Sequence, residues 1–143
     1  MTTERGPRRA LFLFLGSLAA VGAAAVAAGR WLDAVEVTGR SMAPTLLPGD
    51  RLLVEALTYR RRRPRAGEIV LAHDPRRPDR ELVKRIGRVD PSSGGAELVG
   101  DAPDASTDSR TFGPVALEGL RWRAVARYWP PQRIARLGSS PET

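Results

Sequence analysis

Of the 23 lysine and arginine residues in this 143-residue chain, a single one, Lys84, is lysine. A guanidinium keeps its proton at any accessible pH, whereas a lysine amine can lose one and act as a base. In a chain that draws every other cation from arginine, Lys84 is therefore a candidate general base. It lies in Glu81-Leu82-Val83-Lys84-Arg85-Ile86. Strand alternation sets Leu82, Lys84 and Ile86 on one face and Glu81, Val83 and Arg85 on the other. An amine between two aliphatic side chains on a buried face loses hydration, which pulls its pKa down from the usual ~10.4. That is the condition for a lysine to serve as a base near neutrality. Arg85, on the opposite face, is expected to stay solvated.

A base needs a nucleophile, and Ser41 is the candidate, in Val37-Thr38-Gly39-Arg40-Ser41-Met42-Ala43-Pro44-Thr45. It follows a glycine and precedes a proline by three positions, which predicts an irregular, well-defined backbone. A serine hydroxyl attacks only when a neighbour takes its proton. The one histidine, His73, stands in Ala72-His73-Asp74-Pro75, read as a Pro- and Arg-rich loop with no apolar frame. A Ser-His-Asp triad would need that histidine; a Ser-Lys dyad, a variant of the same logic, fits these residues better.

Four stretches in order carry a resemblance: Ser41-Met42-Ala43-Pro44-Thr45-Leu46, Pro48-Gly49-Asp50-Arg51, Val83-Lys84-Arg85-Ile86-Gly87, and Gly100-Asp101 through Asp108-Ser109-Arg110 and Gly113. Together they resemble the boxes of type I signal peptidases, membrane-anchored Ser-Lys endopeptidases, over residues 37–114. The resemblance implies Ser41 as nucleophile, Lys84 as general base and Ser106 as the hydroxyl that positions the lysine amine. It implies Asp101, Asp108 and Arg110 as loop-structuring residues. It places the oxyanion region at Gly39, Arg40 and Ser41, with the Ser41 N–H aimed where charge develops. The reaction it implies needs no metal and no cofactor. Two positions depart from the pattern. Some members have serine where this chain has Gly39, and Ala102 follows Gly100-Asp101 where asparagine is usual.

These residues must be held by what surrounds them. Strand-like runs at Ala34–Thr38, Arg51–Ala56, Glu68–Ala72, Glu81–Ile86, Ala96–Val99 and Arg121–Tyr128 are separated by Pro/Gly turns. Pro48-Gly49 suits a type II turn. No long helical periodicity follows residue 30. A mainly β, antiparallel peptidase domain over residues 30–137 is expected, with Lys84 on a strand and Ser41 and Ser106 on loops.

Upstream, residues 10–28 are an uncharged, Ala- and Leu-rich run. As a helix it would span about 28 Å, near the ~30 Å hydrocarbon core. Arg5, Arg8 and Arg9 favour a cytoplasmic N-terminus for residues 1–9. The expectation is a single-pass transmembrane helix in the cytoplasmic membrane, an extracytoplasmic catalytic domain and a flexible tail at 138–143. The competing reading is a cleavable signal peptide ending near Ala25-Val26-Ala27.

With no cysteine and one histidine, disulfides, thiolate metal sites and His-Glu-x-x-His chemistry are excluded. The net charge of +7 and the run Arg60–Arg63 with Arg65 read as a solvated loop or as attraction to membrane lipids. Nucleic acid is not expected, because no recognition helix or RNA-binding aromatic motif accompanies the charge. Expected partners are precursor proteins with extended, small-residue cleavage sites. Within the same chemistry, the 104–110 loop also resembles small proteases that mature the nickel superoxide dismutase precursor. A catalytically silent, membrane-tethered basic module would have no use for Ser41, Lys84 and Ser106 together. Self-cleaving repressors share the Ser-Lys chemistry but need a DNA-binding helical domain where the apolar run stands.

Overall fold

A computed structural model describes residues 7–138. Two units divide at Trp31/Leu32. The first contains helix α1 (Pro7–Gly29), which covers the apolar run. The side chains of residues 7–11 and 13 lie outside the described part; Phe12, Phe14, Leu15, Leu18 and Val26 are exposed. Helix formation is thus borne out, but membrane crossing is not. Among the described residues no helix is long and apolar enough to cross a membrane. The expected tail lies outside the described residues except for Gly138.

The second unit is built on one antiparallel sheet of eight strands among the described residues. In chain order these are β1 (Leu32–Glu36), β2 (Arg51–Glu55), β3 (Ile69–Asp74), β4 (Arg77–Asp90), β5 (Gly95–Val99), β6 (Val115–Ala116), β7 (Trp122–Trp129) and β8 (Ala135–Arg136). The spatial order is β1-β2-β7-β3-β4-β5-β6, with β8 beside β7. Among the described residues the only helices past α1 are single turns, α2 (Thr58–Arg61) and α3 (Ser109–Phe112), with a few 3₁₀ turns. The expected antiparallel β architecture is present.

All six strand-like runs overlap observed strands, with three differences of extent. The run expected at 34–38 is shifted two residues back, because pairing with β2 ends at Glu36 and Val37 turns its N–H to the Asp50 carbonyl. β4 runs well past its aliphatic centre in both directions, because hairpin pairing with β3 continues to Arg77 and pairing with β5 to Asp90. His73 belongs to β3, paired with Glu81, rather than to a loop. Pairing continues past the aliphatic residues of β3 and carries the exposed histidine with it.

The core has two parts. One gathers Val37, Met42, Leu46, Leu52, Val54, Ile69, Ala124 and Leu137. The other gathers Val70, Ala72, Ile86, Ala96, Leu98, Leu117 and Leu120. Successive residues Ile69 and Val70 point into different clusters, as alternation requires, so β3 is covered on both faces. Met42 and Leu46 come from the loop rather than a strand. Burying each contributes about 1.5–3 kcal/mol, and that burial pins the turn that carries Ser41.

Candidate active site

The loop from Val37 to Asp50 closes on itself. Val37 N–H donates to the Asp50 carbonyl at 2.8 Å, and Gly49 N–H donates to the Val37 carbonyl at 2.8 Å. Pro48-Gly49 makes the expected type II turn: Gly49 has φ of +90°, and Asp50 N–H reaches the Leu47 carbonyl at 3.0 Å. Within the loop, Ala43 N–H donates to Arg40 and Leu46 N–H to Met42, at 3.0 and 2.9 Å, winding one turn around Ser41. Among the described residues the Ser41 N–H finds no acceptor, so it is a free donor beside its own hydroxyl.

Lys84 stands on β4 and is 2 % exposed, between buried Leu82 and Ile86. Burial is the main cause that draws its pKa below the ordinary lysine value. The guanidiniums of Arg80 and Arg110 push the same way, and the Asp108 carboxylate opposes them. The amine Nζ donates to the Ser106 hydroxyl at 2.7 Å, and that hydroxyl donates to Asp108 Oδ2 at 2.7 Å.

Asp108 is fully buried and holds the bend together. Its carboxylate takes the Gly100 N–H at 3.1 Å, the Arg110 N–H at 3.2 Å, Arg110 Nε at 2.9 Å and Arg110 Nη2 at 2.7 Å. The Arg110 hydrogen bonds, more than any other cause, hold its carboxyl far below the usual range despite burial. Asp108 and Arg110 thus form an ion pair. The sequence reading missed that Asp108 also orients Ser106; the i, i+2 spacing of the two residues was the available signal.

Asp101 belongs to a different contact. Its carboxylate receives Arg85 Nε at 2.8 Å and Arg85 Nη2 at 2.7 Å, a two-pronged pair, while Arg85 Nη1 donates to the Gly67 carbonyl at 2.8 Å. Burial works against the ionised form of Asp101, but the hydrogen bonds from Arg85 and Thr45 outweigh it and hold the carboxyl below its usual range. Arg85 is therefore not solvated as its strand face suggested. The 100–108 bend folds over that face and buries it.

The two halves meet at the main chain. Ala102 N–H donates to the Ser41 carbonyl at 2.9 Å, so the backbone at position 102 joins the bend to the turn. Gly100 packs against both halves. A Cβ there would come within 2.2 Å of Ser106 Oγ and 2.4 Å of the Ser41 carbonyl oxygen.

A cleft of about 450 Å³ brings Gly39, Arg40, Ser41 and Lys84 together. Ala34 to Thr38 line one side, Arg80 to Val83 another, with Ala105 and Thr107 from the bend. Both flanking strands present unused edges: β1 pairs with β2 alone, and residues 77–84 of β4 pair with β3 alone. His73 is exposed and is not among the residues lining the cleft.

A family model described as signal peptidase, peptidase S26, matches residues 11–91, more than half of the chain. The chain belongs to that family. The matched span of this peptidase includes Ser41 and Lys84; Ser106 and Asp108 lie beyond it. It is 36 % identical over 127 residues to the mitochondrial ATP-independent inner membrane protease subunit 1a of Arabidopsis thaliana, covering 74 % of this chain and 76 % of the relative. To the mitochondrial inner membrane protease subunit 2 of Mus musculus it is 30 % identical over 144 residues, 87 % of this chain and 82 % of the relative. To signal peptidase I of Leptolyngbya laminosa it is 26 % identical over 151 residues, 76 % of this chain and 74 % of the relative.

Proposed function

We propose that this peptidase is a Ser-Lys endopeptidase that removes signal peptides or pro-segments from exported proteins. The observation that carries the reading is the buried Lys84 amine, seated on Ser106 in the cleft that Ser41 lines. Ser106 commits its proton to Asp108, so it offers the amine a lone pair and no proton. The lone pair of neutral Lys84 is thereby left for the Ser41 hydroxyl.

An extended precursor segment adds to the open edges of β1 and β4 by β-augmentation, which places its scissile carbonyl beside Ser41. Ser41 Oγ attacks that carbon as Lys84 takes the hydroxyl proton. The developing oxyanion meets the free Ser41 N–H. As the C–N bond breaks, Lys84 returns the proton to the leaving amine and an acyl-enzyme remains. Water then gives a proton to Lys84 and attacks the ester carbon; as the bond to Ser41 Oγ breaks, Lys84 returns that proton to Ser41 and the carboxylate product leaves. Small residues upstream of the cleaved bond are expected from the family resemblance.

The relatives' names place two of them in an inner membrane, and α1 is exposed and apolar over its described length. We extend the proposal to location: α1 holds the enzyme at the cytoplasmic membrane, with Arg5, Arg8 and Arg9 on the cytoplasmic side and the β domain outside. Resistance to carbonate extraction, with the β domain open to added protease in spheroplasts, tests that arrangement.

The activity is tested by cleavage of an Ala-x-Ala precursor by the full chain in detergent, beside Ser41→Ala and Lys84→Arg. Wild type should cleave and both variants should be silent. Cleavage by Lys84→Arg at the wild-type rate would overturn the dyad. An intact precursor under wild type would shift the reading to one dedicated substrate, with the nickel superoxide dismutase precursor the first to try.

A further inference from the structure

We infer that Arg127 and Arg133 clamp the turn that carries Ser41 and act as positioning residues for the reaction, an inference that rests on the function proposed above. Both lie outside the stretch that matches the family model. Arg127 comes from β7, and Arg133 ends the 3₁₀ turn Pro131–Arg133 just beyond it. The Thr45 carbonyl accepts Arg127 Nη1 at 2.7 Å and Arg133 Nη2 at 3.4 Å. The Asp50 carboxylate accepts Arg133 Nη1 at 2.8 Å and Arg127 Nη1 at 3.4 Å, and also takes the Leu47 N–H at 2.9 Å. Arg127 Nε donates to the Arg133 carbonyl, which ties the two arms to each other.

Geometry makes this more than a surface ion pair. Asp50 is 1 % exposed and the Arg127 side chain 11 %. A single helical turn cannot hold itself, because its closing carbonyls lack partners within the turn. The clamp supplies those partners at Thr45, four residues after Ser41. The Thr45 carbonyl is thus tied to β7 and to the 3₁₀ turn beyond it. If the arginine grip is released, the Thr45 carbonyl loses both side-chain donors, the turn keeps only its backbone bonds and the burial of Met42 and Leu46, and the placement of Ser41 against Lys84 loosens. A lysine keeps the charge but presents one nitrogen where the planar fork presents several, so it cannot reproduce the spaced contacts that Arg127 makes through Nε and Nη1 or Arg133 through Nη1 and Nη2.

The test uses the full chain carrying Arg133→Lys, and separately Arg127→Lys, with Ser41→Ala as the blank. Arg133 is the milder site, its side chain being 28 % exposed. Three readouts are taken: melting temperature, kcat and KM on the Ala-x-Ala precursor, and hydrogen exchange at the amides of residues 42–47. The expected result for Arg133→Lys is a folded protein with kcat lower by about 10- to 100-fold, the scale of a small misplacement of a reacting group. KM should stay within about twofold, because the clamp lies outside the edges that bind the peptide. Exchange at the Ala43 and Leu46 amides should quicken while that in β3 and β4 stays unchanged. Wild-type kcat in both variants, or a fall in kcat that only follows the unfolded fraction, would overturn the clamp. Should wild type itself leave the precursor intact, the substrate reading shifts as described above and the exchange data decide the clamp alone. Faster exchange confined to residues 42–47 keeps the clamp, and unchanged exchange removes it.

Discussion

The Ser106 hydroxyl gives its proton to Asp108 at 2.7 Å, and this fixes which side of the oxygen faces Lys84. A hydroxyl free to rotate could donate to the neutral amine and block its lone pair. Asp108 prevents that, and its own charge is secured by Arg110. The chain of bonds therefore runs one way, from amine to hydroxyl to carboxylate.

Replacing Asp108 by asparagine reverses part of that order, because the new amide can donate to Ser106. It also removes the anion that raises the Lys84 pKa. Two effects should separate in the pH profile of kcat/KM. The maximum should fall by about 10-fold or more, within the usual contribution of a positioned base. The acid limb, where Lys84 gains its proton, should move to lower pH. An acid limb that moves up would contradict the role given to Asp108.

Gly100 has no room for a methyl group. A Cβ would stand 2.2 Å from Ser106 Oγ, 2.4 Å from the Ser41 carbonyl oxygen and 2.6 Å from Ser106 Cβ. Backbone on one side and a bonded hydroxyl on the other leave little to yield. Gly100→Ala should lower kcat by about 100-fold, since displacement of roughly 1 Å carries that cost. Steady-state kinetics on folded protein, checked by circular dichroism, would measure it.

Lys84 is costly to bury, and its stability linkage has a definite sign. Its folded pKa lies below the unfolded value of ~10.4, so between the two the unfolded chain holds the extra proton. Stability then rises with pH through that window, and below the folded pKa the full penalty applies. Lys84→Met removes the charge at similar volume beside Leu82 and Ile86. It should abolish cleavage yet raise stability at neutral pH by about 1–4 kcal/mol, the range seen when buried ionic groups become apolar. Denaturant melts at neutral and alkaline pH should show the gain shrinking as pH rises.

Gly39 presents the opposite situation to Gly100. Nothing lies within 4 Å of a Cβ built there, and its φ is not positive. A serine is therefore accommodated without strain, and its hydroxyl would stand two residues before the nucleophile, where some members of the family carry one. Gly39→Ser should keep the melting temperature and raise kcat, by up to about 10-fold, if the hydroxyl reaches the oxyanion. Unchanged kcat would mean that backbone donors already suffice.

Strand positions were legible because aliphatic alternation and Pro/Gly punctuation are local signals. Lys84 was legible for the same reason, with its chemistry marked by being the one lysine. The bond from Ser106 to Asp108 was within reach, but Arg85–Asp101 was not. Strand alternation sends Arg85 away from Lys84, and only the return of the bend over that face buries it. The contacts of Arg127 and Arg133 with Thr45 and Asp50 join residues some eighty positions apart, a separation that no periodicity encodes. His73 shows the limit from the other side: proline and arginine around it read as loop, while hairpin pairing made it strand.

The bond from the Ala102 amide to the Ser41 carbonyl belongs to no side chain. The seam between the Ser41 turn and the bend that seats Lys84 is therefore sewn with a thread common to nineteen of the twenty amino acids. Substitution can drift freely at position 102, from asparagine to alanine or further, without opening it. Proline alone, having no N–H, cuts the thread. A joint made by the backbone thus leaves the side chain above it free to vary.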